Sequence, residues 1–245
     1  MKKFLISALV LFVIGIGGTI YTLGLTGVNR IQTVAHKELD SAQPLRTIKI
    51  DSPDTDIVVK PSEGEAVTAD LKVSKESRGH LYNVVISEEN GQLKVEVRRK
   101  DPYVFNIGTM FYRERVEVNL PRQVYEAIEI TSTVADIKLE EIESESTIVR
   151  VQTGDIRLSG TEFSGDHQLE TMKGDVKVEF AHFPDSMKVD FQSETGKGEV
   201  GLSDIRYREQ SDHRLLGQSG NGDHMLHVTT TSGGFHLSKL QEGDR

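Results

Sequence analysis

After residue 45 the chain alternates apolar and polar residues, the period of a β-strand and not of a helix. One unit recurs. Thr133-Val134-Ala135-Asp136-Ile137-Lys138-Leu139 reads like Thr153-Gly154-Asp155-Ile156-Arg157-Leu158 and like Lys173-Gly174-Asp175-Val176-Lys177-Val178. Weaker copies are Lys197-Gly198-Glu199-Val200-Gly201-Leu202 and Gly233-Gly234-Phe235-His236-Leu237, and Asp54-Thr55-Asp56-Ile57-Val58-Val59 is an early cousin. A second alternating stretch precedes the copies: Ile128 and Ile130, Val149 and Val151, Leu169 and Thr171, Val189 and Phe191, Leu226 and Val228. The unit is strand, turn, strand, about 20 residues long, within the range of solenoid repeats. Gly154, Gly174 and Gly198 are expected at its turns.

A two-strand unit cannot bury its apolar face alone; stacked units can. The pattern therefore predicts an all-β, β-solenoid or β-helix-like domain over residues 46–240. An antiparallel β-sandwich is the rival, because it also shows short alternating strands. Parity places Ile156 inside and Arg157 toward solvent. Earlier strands are read at Ile48 and Ile50, at Val67 to Val73, at Val84 and Ile86, and at Leu93 to Val97. Glu89-Asn90-Gly91-Gln92 signals a hairpin. Val116 to Leu120 is a strand stopped by Pro121.

The N-terminus departs from this alternation. Lys2 and Lys3 precede an uncharged run from Phe4 to Asn29, with an apolar heart from Phe4 to Leu25. As a helix that heart spans about 33 Å, close to the hydrocarbon thickness of a bilayer. The positive-inside rule retains the short N-terminus in the cytoplasm and exports the rest. A cleaved signal peptide is the alternative; the run is longer than a signal core and no Ala-x-Ala follows it. The expected organisation is a cytoplasmic tip and single transmembrane anchor over 1–29, a juxtamembrane spacer over 30–45, the solenoid over 46–240 and a polar tail over 241–245. The domain is then an extracytoplasmic one at the cell membrane.

Charge narrows the partners. The formal net charge is −9, with 38 acidic residues against 29 Lys and Arg. A nucleic-acid partner is not expected, because a phosphate backbone selects a basic face. The chain has no Cys, which excludes disulfides, thiolate metal sites and a lipoprotein cysteine.

Asn119-Leu120-Pro121, the Thr153–Leu158 unit, Gly220-Asn221-Gly222 and Thr230-Thr231-Ser232-Gly233-Gly234-Phe235-His236-Leu237 together resemble the bacterial putative-adhesin family, a family of domains of unknown function that includes LiaG-type proteins. The resemblance spans residues 46–240. It implies a β-solenoid behind an N-terminal membrane helix, and a link to the envelope-stress response of Gram-positive bacteria. The chain departs from the family pattern at Ala135, which replaces the turn glycine, and at Gly234-Phe235, where an acidic residue is usual.

The sharpest polar feature is a column of acids at the repeat turns: Asp136, Asp155 and Asp175, with Glu199 as a fourth member. On adjacent rungs these would stack about 4.8 Å apart and repel. Bound Ca²⁺ could compensate. The plainer reading has each Asp accept turn N–H groups, with Lys138, Arg157 and Lys177 screening the charge; it is preferred, and no metal or cofactor is expected. His224 and His227 are three apart, so a strand puts them on opposite faces. Gly-x-Ser-x-Gly and His-Glu-x-x-His are absent, and Gly217 to Gly222 lacks the helix a phosphate loop needs.

One segment stands out in composition. Tyr103, Phe105, Phe111 and Tyr112 lie between two strands and are flanked by Arg98, Arg99 and Arg113, with Lys100 and Arg115 beside them. Aromatic tips with basic flanks suit a membrane interface or an acidic envelope polymer. The competing role is a plug over one end of the solenoid. The function expected is thus a non-catalytic, membrane-anchored envelope module for interaction, scaffolding or adhesion. Its partners would be the membrane, an envelope polymer or another envelope protein. The alternative is a carbohydrate-active or metal-dependent enzyme on a β-helix scaffold, for which paired carboxylates would be needed.

Overall fold

The computed structural model describes residues 31–40, 44–74, 82–100, 114–161, 164–202 and 204–240. The expected anchor at 1–29, the tail at 241–245 and the aromatic segment at 101–113 lie outside them. Among the described residues there is no helix, and the alternation resolves into strands. The first group is β1 (Ile31–Leu39), β2 (Thr47–Ser52), β3 (Asp56–Pro61), β4 (Val67–Ser74), β5 (Tyr82–Glu89), β6 (Gln92–Arg99) and β7 (Arg115–Leu120). The repeats supply β8 (Val124–Tyr125), β9 (Ala127–Val134), β10 (Ile137–Glu140), β11 (Glu143–Ser144), β12 (Ser146–Thr153), β13 (Ile156–Thr161), β14 (Asp166–Lys173) and β15 (Val176–Phe180). The last group is β16 (Met187–Ser193), β17 (Gly198–Val200), β18 (Arg206–Gln210), β19 (Arg214–Ser219), β20 (His224–Ser232) and β21 (Phe235–Lys239).

Apart from β8 and β11, which pair with each other, these strands build a 9-stranded sheet, ordered β1-β4-β7-β3-β10-β13-β15-β21-β17, and a 10-stranded sheet, ordered β18-β19-β16-β20-β14-β12-β9-β2-β6-β5. Each strand–turn–strand unit gives one strand to each sheet, and like strands of neighbouring units pair in parallel. This is the expected stack of rungs and not an antiparallel sandwich. Inward residues of both sheets form one core. One column runs Val95, Ile50, Ile130, Val149, Leu169, Val228, Phe191 along the larger sheet. The facing sheet stacks Val116, Ile57, Ile137, Ile156, Val176 and Phe235. Phe191 and Phe235 meet across the core with ring centroids 5.5 Å apart. Ile156 is fully buried, as its parity requires.

The rungs do not stack in chain order. In space they run β6/β7, β2/β3, β9/β10, β12/β13, β14/β15, β20/β21, β16/β17. The first unit is exchanged with the second, and the last with the one before it. The N-terminal and C-terminal rungs therefore have neighbours on both sides. The outer rungs are covered by antiparallel strands instead: β5 on β6 and β4 on β7 at one end, β19 on β16 at the other. The β5–β6 hairpin turns at Asn90 and Gly91, both with positive φ (55° and 77°), as the Asn-Gly signal requires.

Residues 31–39, placed in a spacer by the sequence pattern, are instead the edge strand β1, paired antiparallel with β4. Their apolar positions are too sparse to mark a strand, because only one side of β1 meets the core: Val34, Ala35 and Leu39 pack against it. β1 carries a bulge between Thr33 and Ala35, a device that blunts an open sheet edge.

Candidate functional site

The acid column is a hydrogen-bonded ladder. Asp56 Oδ1 accepts the backbone N–H of Asp136 at 3.0 Å, and Asp136 Oδ1 that of Asp155 at 3.1 Å. Asp155 Oδ1 accepts from Asp175 at 2.8 Å, and Asp175 Oδ1 from the Gly234 N–H at 2.7 Å. Each carboxylate thus closes onto the turn of the next rung, and the repulsion between stacked acids is offset by donors aimed at each one.

Glu199 does not belong to this column. It pairs in register with His236, which pairs with Lys177, so it sits in the row of the basic residues and contacts His236 Nδ1 at 3.5 Å. The repeat motif suggests Gly198 beside Gly174, but Gly198 stands opposite Phe235 and in the row of Val176, so Glu199 falls two positions past the acid column; the exchanged last rungs bring Gly234 next to Asp175. The turn glycine of that unit is likewise Gly196 and not Gly198. A Cβ on Gly196 would lie 1.7 Å from the Gly233 carbonyl oxygen, whereas one on Gly198 would strike the Phe191 ring. The true turn column is Ala135, Gly154, Gly174, Gly233 and Gly196. A Cβ on Gly154 would come within 1.9 Å of the Ala135 oxygen, and one on Gly174 within 2.1 Å of the Gly154 oxygen. With φ of 141° and 148°, both positions demand glycine for conformation and for space.

Beyond the aspartates, the outer face of the smaller sheet is striped. Lys138, Arg157, Lys177 and His236 occupy one row, and Glu140 and Glu179 lie in the next. Lys138 pairs with Glu140. Arg157 Nη2 reaches Glu179 Oε2 at 2.6 Å and Lys177 Nζ reaches its Oε1 at 2.9 Å. Arg157 is therefore half-exposed rather than free in solvent, and it serves a buried acid, since Glu179 is only 4% exposed. Burial alone would raise the Glu179 carboxyl, but the hydrogen bonds and charges of Lys177 and Arg157 outweigh it and hold the group below the usual carboxylate range. Glu117 repeats the arrangement, buried between Lys60 and Lys72 and likewise held low. Both pairs were invisible to pattern reading, because strand parity marks these glutamates as outward.

The histidines separate. His224 Nδ1 accepts the Gly165 N–H at 2.8 Å, while His227 faces Asp190 at 3.5 Å and Thr229 at 3.2 Å. The residue missed was His167. It occupies an inward position of β14 between Thr147 and Leu226, is buried, and contacts the Ser164 carbonyl through Nε2 at 3.0 Å. Burial pushes its pKa down to about 4. Among the described residues no group of three or more His, Cys, Asp or Glu is placed to hold a metal ion.

A notch of about 520 Å³ opens on the larger sheet where β2 stops before Pro53 while β6 and β9 run on. Asp51, Glu96, Arg98, Thr131, Thr133 and Gln152 line it. Asp51 and Glu96 are register partners, so a carboxylate pair is present. A glycosidase acid needs a raised pKa; Lys94 and Arg98 instead hold Glu96 low through their hydrogen bonds. Of the segment singled out by composition, Arg98 and Arg99 close β6 and are exposed; Tyr103, Phe105, Phe111, Tyr112 and Arg113 lie outside the described residues.

The family described as Toastrack DUF4097 matches residues 45–149 and 116–238. Among solved structures, a putative cell adhesion protein from Clostridium sporogenes superposes with a TM-score of 0.62 at 13% identity, over 86% of this chain and 99% of that one. A putative adhesin from Bacteroides fragilis covers 87% of this chain and 98% of its own at 8% identity, with a TM-score of 0.34. None of the curated proteins matches the chain.

Proposed function

The chain belongs to the Toastrack DUF4097 family, and on that premise we propose that it is a non-catalytic, adhesin-like interaction module of the cell envelope, carried outside the membrane by its N-terminal apolar run. The observation that carries this reading is the acid ladder. The residues that most invite a catalytic or metal-binding interpretation are engaged rung to rung, each carboxylate accepting a turn N–H. They serve architecture, which leaves the broad surface of the stack for contact. The adhesion named for the Clostridium sporogenes structure agrees with that use, and the LiaG-type resemblance supports a place in envelope stress. The aromatic and basic segment from Arg98 to Arg113 is the proposed contact element. Strands β1, β4 and β5 pair onto the rungs at that end of the stack, which supports contact over a plug.

The test is site-specific photo-crosslinking of the full-length chain in intact cells, with the crosslinker at Thr133 or Gln152 beside the notch. The expected result is a discrete adduct with an envelope component, unchanged when Asp51 and Glu96 are replaced by Asn and Gln. Turnover of envelope glycan that disappears in Asp51→Asn or Glu96→Gln, with folding intact, would replace this proposal by the enzymatic one.

A further inference from the structure

The anchored reading leaves open which side of the domain meets the membrane, and the topology answers it. Three chain crossings share one corner. β1 begins there, since Ile31 pairs with Ser74 at the end of β4. The connection from Ser74 to Tyr82 starts and ends there, because Tyr82 pairs with Arg99. The connection from β6 to β7 is the third: Arg115 pairs with Lys72, two residues before Ser74. This corner lies on the edge that carries the turns, at the β1/β5 end of the stack.

Chain length ties it to the N-terminal run. Five residues lie between Leu25 and Ile31, six steps along the chain, and extended chain covers at most about 3.5 Å per step, so the corner sits within about 21 Å of the end of that run. The described chain enters the domain directly as strand β1 at Ile31. The side chains at the corner suit a headgroup layer. Ile31 is 59% exposed, an outward apolar residue at the entry point. Arg98, Arg99, Lys100 and Arg115 are all exposed. Among their acidic neighbours Glu114 is buried, Glu96 is bridged by Lys94 and Arg98, and Asp54 is hydrogen-bonded with Tyr82. In a domain with an acidic balance, these four cations stand exposed together at one corner, and an anionic surface attracts such clusters within a Debye length.

We infer that the turn edge at the β1/β5 end is the membrane-facing part of the domain, docked on anionic lipid headgroups through Ile31, Arg98, Arg99, Lys100 and Arg115. This rests on the anchored reading above. The opposite edge and the β17/β18 end then point away from the bilayer, about 25 Å and about 40 Å distant by strand rise and strand spacing.

The absence of cysteine from the chain makes the test direct. Single fluorophores are placed at Lys100→Cys, Val124→Cys and Lys197→Cys in the full-length chain, reconstituted into vesicles bearing a headgroup-attached quencher. Val124 lies at the opposite edge of the same end, and Lys197 at a turn of the far end. The expected result is strong quenching at Lys100→Cys and little at the other two, with the Lys100→Cys signal deeper in phosphatidylglycerol vesicles than in phosphatidylcholine. Equal quenching at all three positions, or no dependence on phosphatidylglycerol, overturns the docking while leaving the anchor intact. Release of the chain by alkaline carbonate sinks the anchor and the docking together.

Discussion

Asp155 Oδ1 accepts the backbone N–H of Asp175 at 2.8 Å, so a side chain of one rung satisfies the turn of the next. Replacing Asp155 by Ala removes that acceptor. The loss is about 1–2 kcal/mol, the usual cost of a hydrogen bond to a charged acceptor at a partly exposed site. Asp155→Asn keeps an oxygen in place and should recover part of it. Thermal or urea melts of the two variants decide the matter. Equal melting of Ala, Asn and native chains would show that the ladder is incidental.

Because the ladder is closed by N–H donors, divalent ions are not needed to relieve it. EDTA should leave the melting midpoint unchanged, and added Ca²⁺ should not raise it. A chelator-induced drop restored by Ca²⁺ would mean that the folded state binds the ion, since such a ligand must stabilise it.

Ile156 and Arg157 are adjacent but lie on different sides of β13. Ile156→Asp buries an unpaired charge in the core column and should cost several kcal/mol, on the order of complete loss of folding for a marginal domain. Arg157→Asp is milder, yet not neutral as strand parity alone suggests. It sets a second acid beside buried Glu179, at a cost of about 1–2 kcal/mol after allowing for the exposure of the guanidinium. The double variant Arg157→Asp/Glu179→Gln should regain stability over Arg157→Asp; failure to do so in equilibrium unfolding would remove the pairing as the cause.

Gly174 tests the contact between turns. Gly174→Ala forces a Cβ to within 2.1 Å of the Gly154 oxygen at a φ of 148°, so the turn must open. A destabilisation of at least about 2 kcal/mol is expected. Gly64 has nothing within 4 Å of the same added atom and no positive φ, so Gly64→Ala should melt like the native protein.

His167 makes stability depend on mild acid. Its folded pKa is about 4 against an ordinary value of 6.5, so between these values the unfolded chain binds the extra proton. Stability contributed by the neutral, buried ring is fully present above pH 6.5 and falls as pH drops toward 4, by up to about 3 kcal/mol. His167→Gln should flatten the stability curve across that window. A variant with the native slope between pH 6.5 and 4 would assign the acid sensitivity elsewhere.

The repeat, its strand–turn–strand form, the burial of Ile156 and the end of β7 before Pro121 could all be read from residue order. Each follows from local rules: side-chain alternation, the φ range of Gly, the missing N–H of Pro. The acids at the turns were legible too, and so was their preferred role as N–H acceptors. What sequence could not say was which rung lies beside which. Alternation is the same in every rung and carries no label for its neighbour, so β20/β21 could enter between β14/β15 and β16/β17 without a trace in the pattern. That exchange put Gly234 against Asp175, while the register of β17 against β21 set Glu199 in the basic row and Gly196 at the turn. The buried state of Glu179 and Glu117 is equally a tertiary matter: both occupy outward positions, and cations from adjacent strands, Arg157 on Glu179 and Lys60 and Lys72 on Glu117, cover them, joined at Glu179 by Lys177 of its own strand. The inward place of His167 was signalled by parity, but its burial depends on the rungs above and below it. The common corner of β1, β6 and β7 was likewise decided in three dimensions, where hydrogen bonding between strands distant in sequence gathers chain ends that local patterning leaves apart.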